Sequence, residues 1–149
     1  EPLIDPLNID KVINFHRKFK KYDIVLPNLP TKFKKNFNIV KIIFNKKREI
    51  LFLTRAVAPH QFRKNTETIF KHLSIISFTP SSLEKYARAK RTKLEIIEDV
   101  ELLRAIDIGL KIKTFSLKGD SFSVDVKENL IEARKKMNSD KYYKLYGNQ

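Results

Sequence analysis

The chain has 149 residues, of which 42% are hydrophobic and 11% aromatic, and it contains no cysteine. This length gives room for one domain with its own core, and the hydrophobic content argues against intrinsic disorder. The absence of cysteine excludes a disulfide framework, a thiolate metal site and a cysteine nucleophile, and it is compatible with a reducing cytoplasm, where we expect the protein. No apolar run approaches the ~20 residues of a membrane span, so none is predicted.

The formal net charge is +14, of which residues 1–75 carry +10. A basic surface raises the local concentration of anions such as nucleic acid, nucleotides or acidic sugars. The lysines are scattered among Ile, Asn and Phe, which favours an ordinary solvated surface. The charge leaves two classes open, an enzyme with anionic substrates and a non-catalytic basic module that binds nucleic acid or other anions. Because no known nucleic-acid-binding motif is present, we do not expect a nucleic-acid partner.

The first predicted element is an amphipathic helix. Asn8 or Asp10 can cap it by accepting backbone N–H bonds. Its apolar positions recur at helical spacing, and lysines occupy the opposite face. The apolar face contains Ile9, Val12, Ile13, Phe15 and Phe19. His16 stands among charged residues of this helix, so we expect it on the surface.

A hairpin is predicted next. Residues 24–26 form a short apolar run that leads into a turn-rich connection through Pro27 and Pro30. Two apolar segments at 38–44 and 49–54 then flank a four-residue polar loop, which is typical of a β-hairpin.

In the middle of the chain, the sequence predicts an irregular segment, then a strand and then two helices. Residues 55–71 are basic and irregular, with a short apolar segment near their end, and 72–78 predict a strand. The Thr-Pro-Ser sequence at 79–81 starts a helix that runs through Ala89. Apolar residues from Leu94 to Ile106 predict a second, stronger helix that Gly109 ends.

The last part predicts two strands, a helix and a tail. Residues 111–117 alternate like a half-buried strand, and a second short apolar run ends at Asp125, where a helical pattern begins. Residues 138–149 form a polar, tyrosine-rich tail. Strands that alternate with helices predict an α/β domain with a mixed sheet flanked by helices, in which the 38–54 hairpin is an antiparallel excursion.

Asp125 is the strongest candidate for chemistry. Its position predicts the C-terminal end of a strand, where open α/β sheets hold their ligands. A carboxylate at that point can bind a hard cation such as Mg²⁺. The alternative is that Asp125 only caps the following helix. The three glycines, at 109, 119 and 147, do not form a phosphate-binding loop.

Several segments resemble the 3-deoxy-manno-octulosonate cytidylyltransferase (CMP-Kdo synthetase) family. Glu1–Ile4 matches the end of the family's Gly-Asp-Glu-Pro-Leu-Ile, and Thr54–Pro59 resembles its Ser-Arg-Ala-x-Ile-Pro. Lys71–Ile76 resembles Lys-His-x-Gly-Ile-Tyr, and Leu94–Arg104 resembles Leu-Glu-x-x-Glu-x-Leu-Glu-Gln-Leu-Arg. Val124–Leu130 resembles Val-Asp-Thr-Pro-Glu-Asp-Leu.

The resemblance covers residues 1–137, as the C-terminal portion of a nucleotidyltransferase-like (Rossmann-like) domain whose N-terminal part is missing. It implies transfer of CMP from CTP to the 2-hydroxyl of Kdo or a Kdo-like acid sugar, with release of pyrophosphate, for lipopolysaccharide or surface polysaccharide synthesis. It implies that Asp125 is catalytic and binds Mg²⁺, and that Arg55, His72 and Glu101 bind the sugar. The 149-residue chain is then expected to be inactive by itself.

The chain departs from the family pattern at several positions. Leu102 replaces a Gln that contacts the sugar, which removes one polar contact. Ser74 and Ile76 replace a Gly and a Tyr, and Val126 with Lys127 replaces Thr-Pro, which removes a good helix start. Either a variant of Kdo as the substrate or relaxed constraints on this copy would be consistent with these changes.

The resemblance also implies a homodimer, and the 38–54 hairpin with the loop after it is the candidate contact. Its apolar residues are Ile39, Ile42, Phe44, Ile50 and Phe52. An isolated hairpin is marginal in water, so these residues need a sheet of their own or a partner. The alternative is that both strands pack on the first helix through Phe15 and Phe19.

Overall fold

The computed structural model describes residues 3–33, 35–118, 124 and 127–146. The described elements form one mixed sheet with helices packed against both of its faces. In chain order they are α1 (Pro6–Lys18), β1 (Ile24–Lys32), β2 (Lys41–Phe44), β3 (Ile50–Thr54), β4 (Thr68–His72), β5 (Ser77–Phe78), α2 (Pro80–Arg88), α3 (Lys93–Glu98), α4 (Leu102–Asp107), β6 (Ile112–Ser116), α5 (Lys127–Ser139) and α6 (Lys141–Tyr146). The predicted α/β class is confirmed.

β1 is the central strand of the sheet. It pairs antiparallel with β4 and β5 and parallel with β6. The prediction of a turn-rich connection here was wrong, because the strand continues through both prolines. Pro27 lies opposite β6, between the stretches of β1 that pair with β5 and β4, and Pro30 pairs only with β4. A proline has no N–H to donate, and at both positions β1 has a partner on one side only.

Alternating residues of β1 face two separate cores. Ile24 and Leu26 are fully buried against the core that contains Leu102 and Leu103 of α4. Val25 and Leu29 face the opposite side, where α1 packs. Side chains of a strand point to alternate faces, so a nearly continuous apolar run is required when both faces are covered.

The hairpin prediction is confirmed. β2 and β3 pair antiparallel, from Lys41 opposite Thr54 to Phe44 opposite Ile50. The hairpin is part of the main sheet, because β2 also pairs with β4. The alternative that both strands pack on α1 was wrong. Phe15 stacks on Phe115 in the other core, with ring centroids 4.1 Å apart.

Two predictions about α1 required correction. The cap of α1 is Asp5, whose carboxylate accepts a bond of 3.0 Å from the N–H of Leu7, and not Asn8 or Asp10. His16 is 8% exposed and therefore buried. Its Nδ1 lies 2.7 Å from the hydroxyl oxygen of Ser77 and its Nε2 lies 3.0 Å from the carbonyl oxygen of Tyr22, so it fixes α1 to the sheet.

The predicted strand at 72–78 is interrupted. His72 pairs with Asn28, so regular pairing would place residue 75 opposite Val25, but Ser77 lies there instead. Two extra residues therefore separate β4 from β5, as in a bulge. The helix predicted from Leu94 to Ile106 is also two helices, because Asp99 adopts the left-handed conformation with φ of +50°.

The predicted start of α2 and the predicted end of α4 are confirmed. Thr79 caps α2 and Gly109, with φ of +80°, follows α4. The predicted strand before Asp125 lies outside the described residues. Residues 141–146 of the predicted tail form α6, and Tyr142 donates a 3.1 Å hydrogen bond to Asp5. None of the helices in the described ranges is both long and apolar enough to cross a membrane.

Candidate functional site

Arg55 directly follows β3, and its backbone is fixed by the carboxylate of Glu98 in α3. The N–H of Arg55 donates to one oxygen of that carboxylate at 2.8 Å. The hydroxyl of Thr54 donates to the other oxygen, also at 2.8 Å. The same hydroxyl oxygen accepts from the N–H of Ala56 at 3.0 Å. One carboxylate therefore sets the direction in which the chain leaves β3.

The guanidinium of Arg55 makes its bonds to backbone carbonyl oxygens. Nε donates to Glu98 at 3.0 Å, and NH2 donates to Asp99 at 3.1 Å. NH1 makes longer contacts of 3.4 Å with the carbonyl oxygens of Phe37 and Asn38. The side chain is 35% exposed, and the carboxylate of Asp99 lies 4.0 Å from NH2. The guanidinium is thus held by four carbonyl oxygens and remains partly exposed.

Lys41, the first residue of β2, is only 1% exposed and contacts the backbone of Arg55. Its Nζ donates to the carbonyl oxygen of Asn36 at 2.6 Å and to that of Arg55 at 2.7 Å. Burial lowers the pKa of the Lys41 ammonium, the negative charge of Glu98 opposes this shift, and the positive charge of Arg55 adds to it. A cavity of about 300 Å³ lies beside Lys41, between β2, β4 and residues 58–59.

His72 lies at the same end of the sheet as Arg55. Lys41 begins β2 and pairs with Thr54 of β3 on one side and with Lys71 of β4 on the other. Arg55 is the residue directly after β3, and His72 is the last residue of β4. The N–H of His72 donates to the carbonyl oxygen of Val40 at 2.9 Å. The topology therefore places these two predicted residues on either side of the start of β2.

Glu101 belongs to the turn between α3 and α4. Its side chain is exposed, and its carbonyl oxygen accepts a 3.1 Å hydrogen bond from Tyr86. It stands two residues after Asp99, whose carbonyl contacts Arg55. The neighbouring Leu102 is 1% exposed and packs in the core against β1. In this chain residue 102 is thus a core residue.

Sequence reasoning missed the groups that hold these segments, chiefly Lys41, Glu98 and the pair formed by Glu95 and Arg104. Glu95 is 2% exposed, and Arg104 donates two hydrogen bonds to it, of 2.8 and 2.7 Å. These bonds hold the pKa of the Glu95 carboxyl below its usual range. The spacing of glutamates and arginine in Leu94–Arg104 was a usable signal, but it did not show which glutamate faces inward.

The predicted metal ligand, Asp125, lies outside the described residues. Within residues 3–33, 35–118, 124 and 127–146 there is no group of three or more histidine, aspartate or glutamate side chains that could hold a metal ion. Mg²⁺ and the roles of Asp125, Arg55, His72 and Glu101 stay predictions.

A model of the family described as cytidylyltransferase matches residues 1–112. The chain belongs to the cytidylyltransferase family. The 3-deoxy-manno-octulosonate cytidylyltransferase of Elusimicrobium minutum is 31% identical over 142 residues, which are 91% of this chain and 58% of the relative. The 8-amino-3,8-dideoxy-manno-octulosonate cytidylyltransferase of Shewanella halifaxensis is 29% identical over 140 residues, 90% of this chain and 57% of that protein.

A solved cytidylyltransferase structure shows the same fold. It is a CMP:2-keto-3-deoxy-manno-octonic acid synthetase complexed with CTP, with a TM-score of 0.85 and 21% identity. The match covers 93% of this chain and 58% of that protein. This chain therefore spans a little over half the length of the cytidylyltransferases that it matches. The predicted resemblance to the family is confirmed.

Proposed function

We propose that this chain provides the acid-sugar side of a cytidylyltransferase that converts Kdo, or a Kdo-like acid sugar, and CTP into CMP-sugar and pyrophosphate. The sugar product would serve lipopolysaccharide or surface polysaccharide synthesis. The observation that carries the proposal is the partly exposed guanidinium of Arg55, which is fixed by carbonyl oxygens at the same end of the sheet as His72. The names of the relatives, which act on Kdo and its 8-amino analogue, support the same substrate class.

Arg55 has the chemistry to bind a sugar carboxylate. An arginine presents five N–H donors in a planar fork that matches a carboxylate in bidentate geometry. The contacts of NH1 at 3.4 Å are the longest hydrogen bonds of the guanidinium, so they are the ones that a carboxylate would displace with least loss. His72 and Glu101 would contact the sugar hydroxyls from β4 and from the turn after α3.

Two further features belong to the proposed enzyme. Mg²⁺ bound through Asp125 would supply positive charge to offset that of the phosphates. A homodimer would place the hairpin against a second copy of the chain. Leu51 of β3 is 55% exposed and lies on the terminal strand of the sheet, and this exposure supports such a contact.

Isothermal titration calorimetry with Kdo and with 8-amino-3,8-dideoxy-Kdo tests directly whether the chain binds the acid sugar. We expect the chain to bind at least one of them and to ignore mannose, which has no carboxylate. Loss of a charged hydrogen-bonding group typically weakens binding by about 10- to 100-fold, which is the effect expected of Arg55→Ala. The matched control is Arg88→Ala, because the Arg88 side chain is 79% exposed on α2. Absence of binding to either acid sugar, or equal affinity of Arg55→Ala and wild type, would overturn the proposal.

A further inference from the structure

Arg55 is held by the same two chain segments at its peptide group and at its guanidinium. Residues 36–38 supply carbonyl oxygens to NH1 and to the Lys41 ammonium, which in turn binds the carbonyl of Arg55. Residues 98–99 supply carbonyl oxygens to Nε and NH2, and the Glu98 carboxylate binds the N–H of Arg55. Movement of either segment would therefore displace both ends of the arginine.

Lys41 connects the first segment to the sheet. A lysine is almost never fully buried unless its charge has partners, because removal of an ammonium from water is costly. Here the partners are the carbonyl oxygens of Asn36 and Arg55, at 2.6 and 2.7 Å, with the negative charge of Glu98 nearby. The neighbouring core positions are apolar, so packing alone does not require an ammonium at this point. Its bonds instead join the loop before β2 to the residue after β3.

Glu98 connects the second segment to the sheet. Its carboxylate binds Thr54 and Arg55 at the end of β3, while its own carbonyl accepts from the Arg55 side chain. Asp99 then takes the left-handed conformation, which is uncommon for a residue other than glycine. This turn allows the carbonyl of Asp99 to face NH2 of Arg55 at 3.1 Å. The interruption between α3 and α4 thus coincides with the contact to Arg55.

We propose that Lys41 and Glu98 are positioning residues, which fix the guanidinium of Arg55 in the orientation that receives the carboxylate of an acid sugar. The inference rests on the proposed function for its ligand. Lys41 acts through the carbonyl oxygen of Arg55, and Glu98 acts through the N–H of Arg55. Neither side chain needs to touch the sugar. Glu98 holds both ends of Arg55, because its carboxylate accepts from the N–H and its carbonyl oxygen accepts from Nε at 3.0 Å.

The test uses the full 149-residue chain, with Lys41→Met and Glu98→Gln as variants. Both changes keep the size of the side chain and remove its charge. The matched controls are Lys46→Met in the exposed hairpin loop and Glu67→Gln before β4, both exposed positions. The first measurement is the ¹⁵N–¹H spectrum of arginine side chains, with the Nε–H of Arg55 assigned through Arg55→Lys. The second is the affinity for Kdo by calorimetry.

We expect a distinct, slowly exchanging Nε–H signal for Arg55 in wild type and in both controls. In Lys41→Met and Glu98→Gln this signal should move towards that of solvent-exposed arginines, and Kdo should bind about tenfold more weakly or worse. Circular dichroism and thermal melting establish that each variant is folded, and either variant alone is a sufficient test. An unchanged Nε–H signal in the folded variants would overturn the inference, even if Kdo binds. If the variants show the expected signal changes but wild type binds no Kdo, the proposed function is overturned and the positioning of Arg55 is retained.

Discussion

Arg104 donates from Nε and from NH2 to the two carboxylate oxygens of Glu95, at 2.8 and 2.7 Å. The same carboxylate accepts from Arg91 at 3.2 Å, and it completes a capping box with Thr92 at the start of α3. Arg104 also lies over the ring of Tyr86, 4.5 Å from its centroid. This pair therefore joins α2, α3 and α4, and it fixes the turn that carries Glu98, Asp99 and Glu101.

We expect Glu95→Ala to destabilise the chain strongly. It would leave the guanidinium of Arg104, whose side chain is 17% exposed, without its anionic partner. Loss of one member of a buried pair typically lowers the melting temperature by more than about 5 °C in a domain of this size. Circular dichroism melting measures the effect. The matched control, Glu84→Ala on α2, removes a carboxylate that is 61% exposed and should change the melting temperature little. Equal effects of the two changes would contradict a structural role for the pair.

The same pair predicts an acid-sensitive stability. The pKa of Glu95 is lowered in the folded chain, mainly by the hydrogen bonds from Arg104. The stabilisation from its charge is therefore fully present above its ordinary value of 4.5 and is lost as the pH falls from there through the folded pKa. Urea unfolding from pH 7 to pH 3 should show that wild type and Glu95→Gln converge below about pH 4.5. A constant difference in unfolding free energy across that range would contradict the prediction.

His16→Ala should loosen α1 from the sheet. His16 bridges the hydroxyl of Ser77 and the carbonyl oxygen of Tyr22, and both groups would lose this partner. A buried polar group left without its hydrogen bond typically costs about 1–3 kcal/mol. Chemical denaturation measures the loss, with His60→Ala in the exposed loop as the control. A loss no larger than that of the control would mean that the bridge contributes nothing to stability.

The proposed homodimer predicts that Leu51→Lys lowers the molar mass in light scattering from dimer to monomer. Leu51 is 55% exposed on β3, so the change places a charge in the proposed interface and leaves the core intact. Phe44 and Phe52 pack against the core and are less suitable for this test. Ile97→Lys is the matched control, since Ile97 is 77% exposed on α3. A wild-type monomer, or a dimer that persists in Leu51→Lys, would remove the hairpin from the proposal.

The metal prediction concerns Asp125. If Asp125 binds a divalent cation, Mn²⁺ should selectively broaden the amide NMR signals of residues near it in wild type, and the broadening should disappear in Asp125→Asn. Asp107→Asn, an exposed position on α4, is the control. Loss of a helix cap typically costs about 1 kcal/mol and would lower the melting temperature. If Asp125→Asn loses the broadening but keeps its melting temperature, Asp125 therefore binds metal and does not act as a cap. Persistence of the broadening in Asp125→Asn would exclude this residue as the ligand.

Much of the fold followed from local patterns. The Thr-Pro start of α2, the polar loop of the β2–β3 hairpin and Gly109 after α4 were all predicted, because each is a feature of a few adjacent residues. The order of the segments also gave the family before any geometry was known. Arg55 and His72 lie at one end of the sheet because β3 and β4 pair with opposite sides of β2. The sequence alone did not establish this pairing.

The sequence by itself determined the α/β class, the hairpin, the capping of α2 and the cytidylyltransferase family, since these depend on periodicity and short motifs. Only the tertiary structure decided that β1 passes through Pro27 and Pro30, because a proline is tolerated in a strand only where no neighbour needs its N–H. It also decided that Lys41 is buried and that Glu98, 43 residues away in sequence, binds Arg55. From the sequence, a charged side chain in an amphipathic pattern is predicted to lie on the solvated surface. The partners that allow it to be buried come from distant segments, which only the tertiary structure brings together.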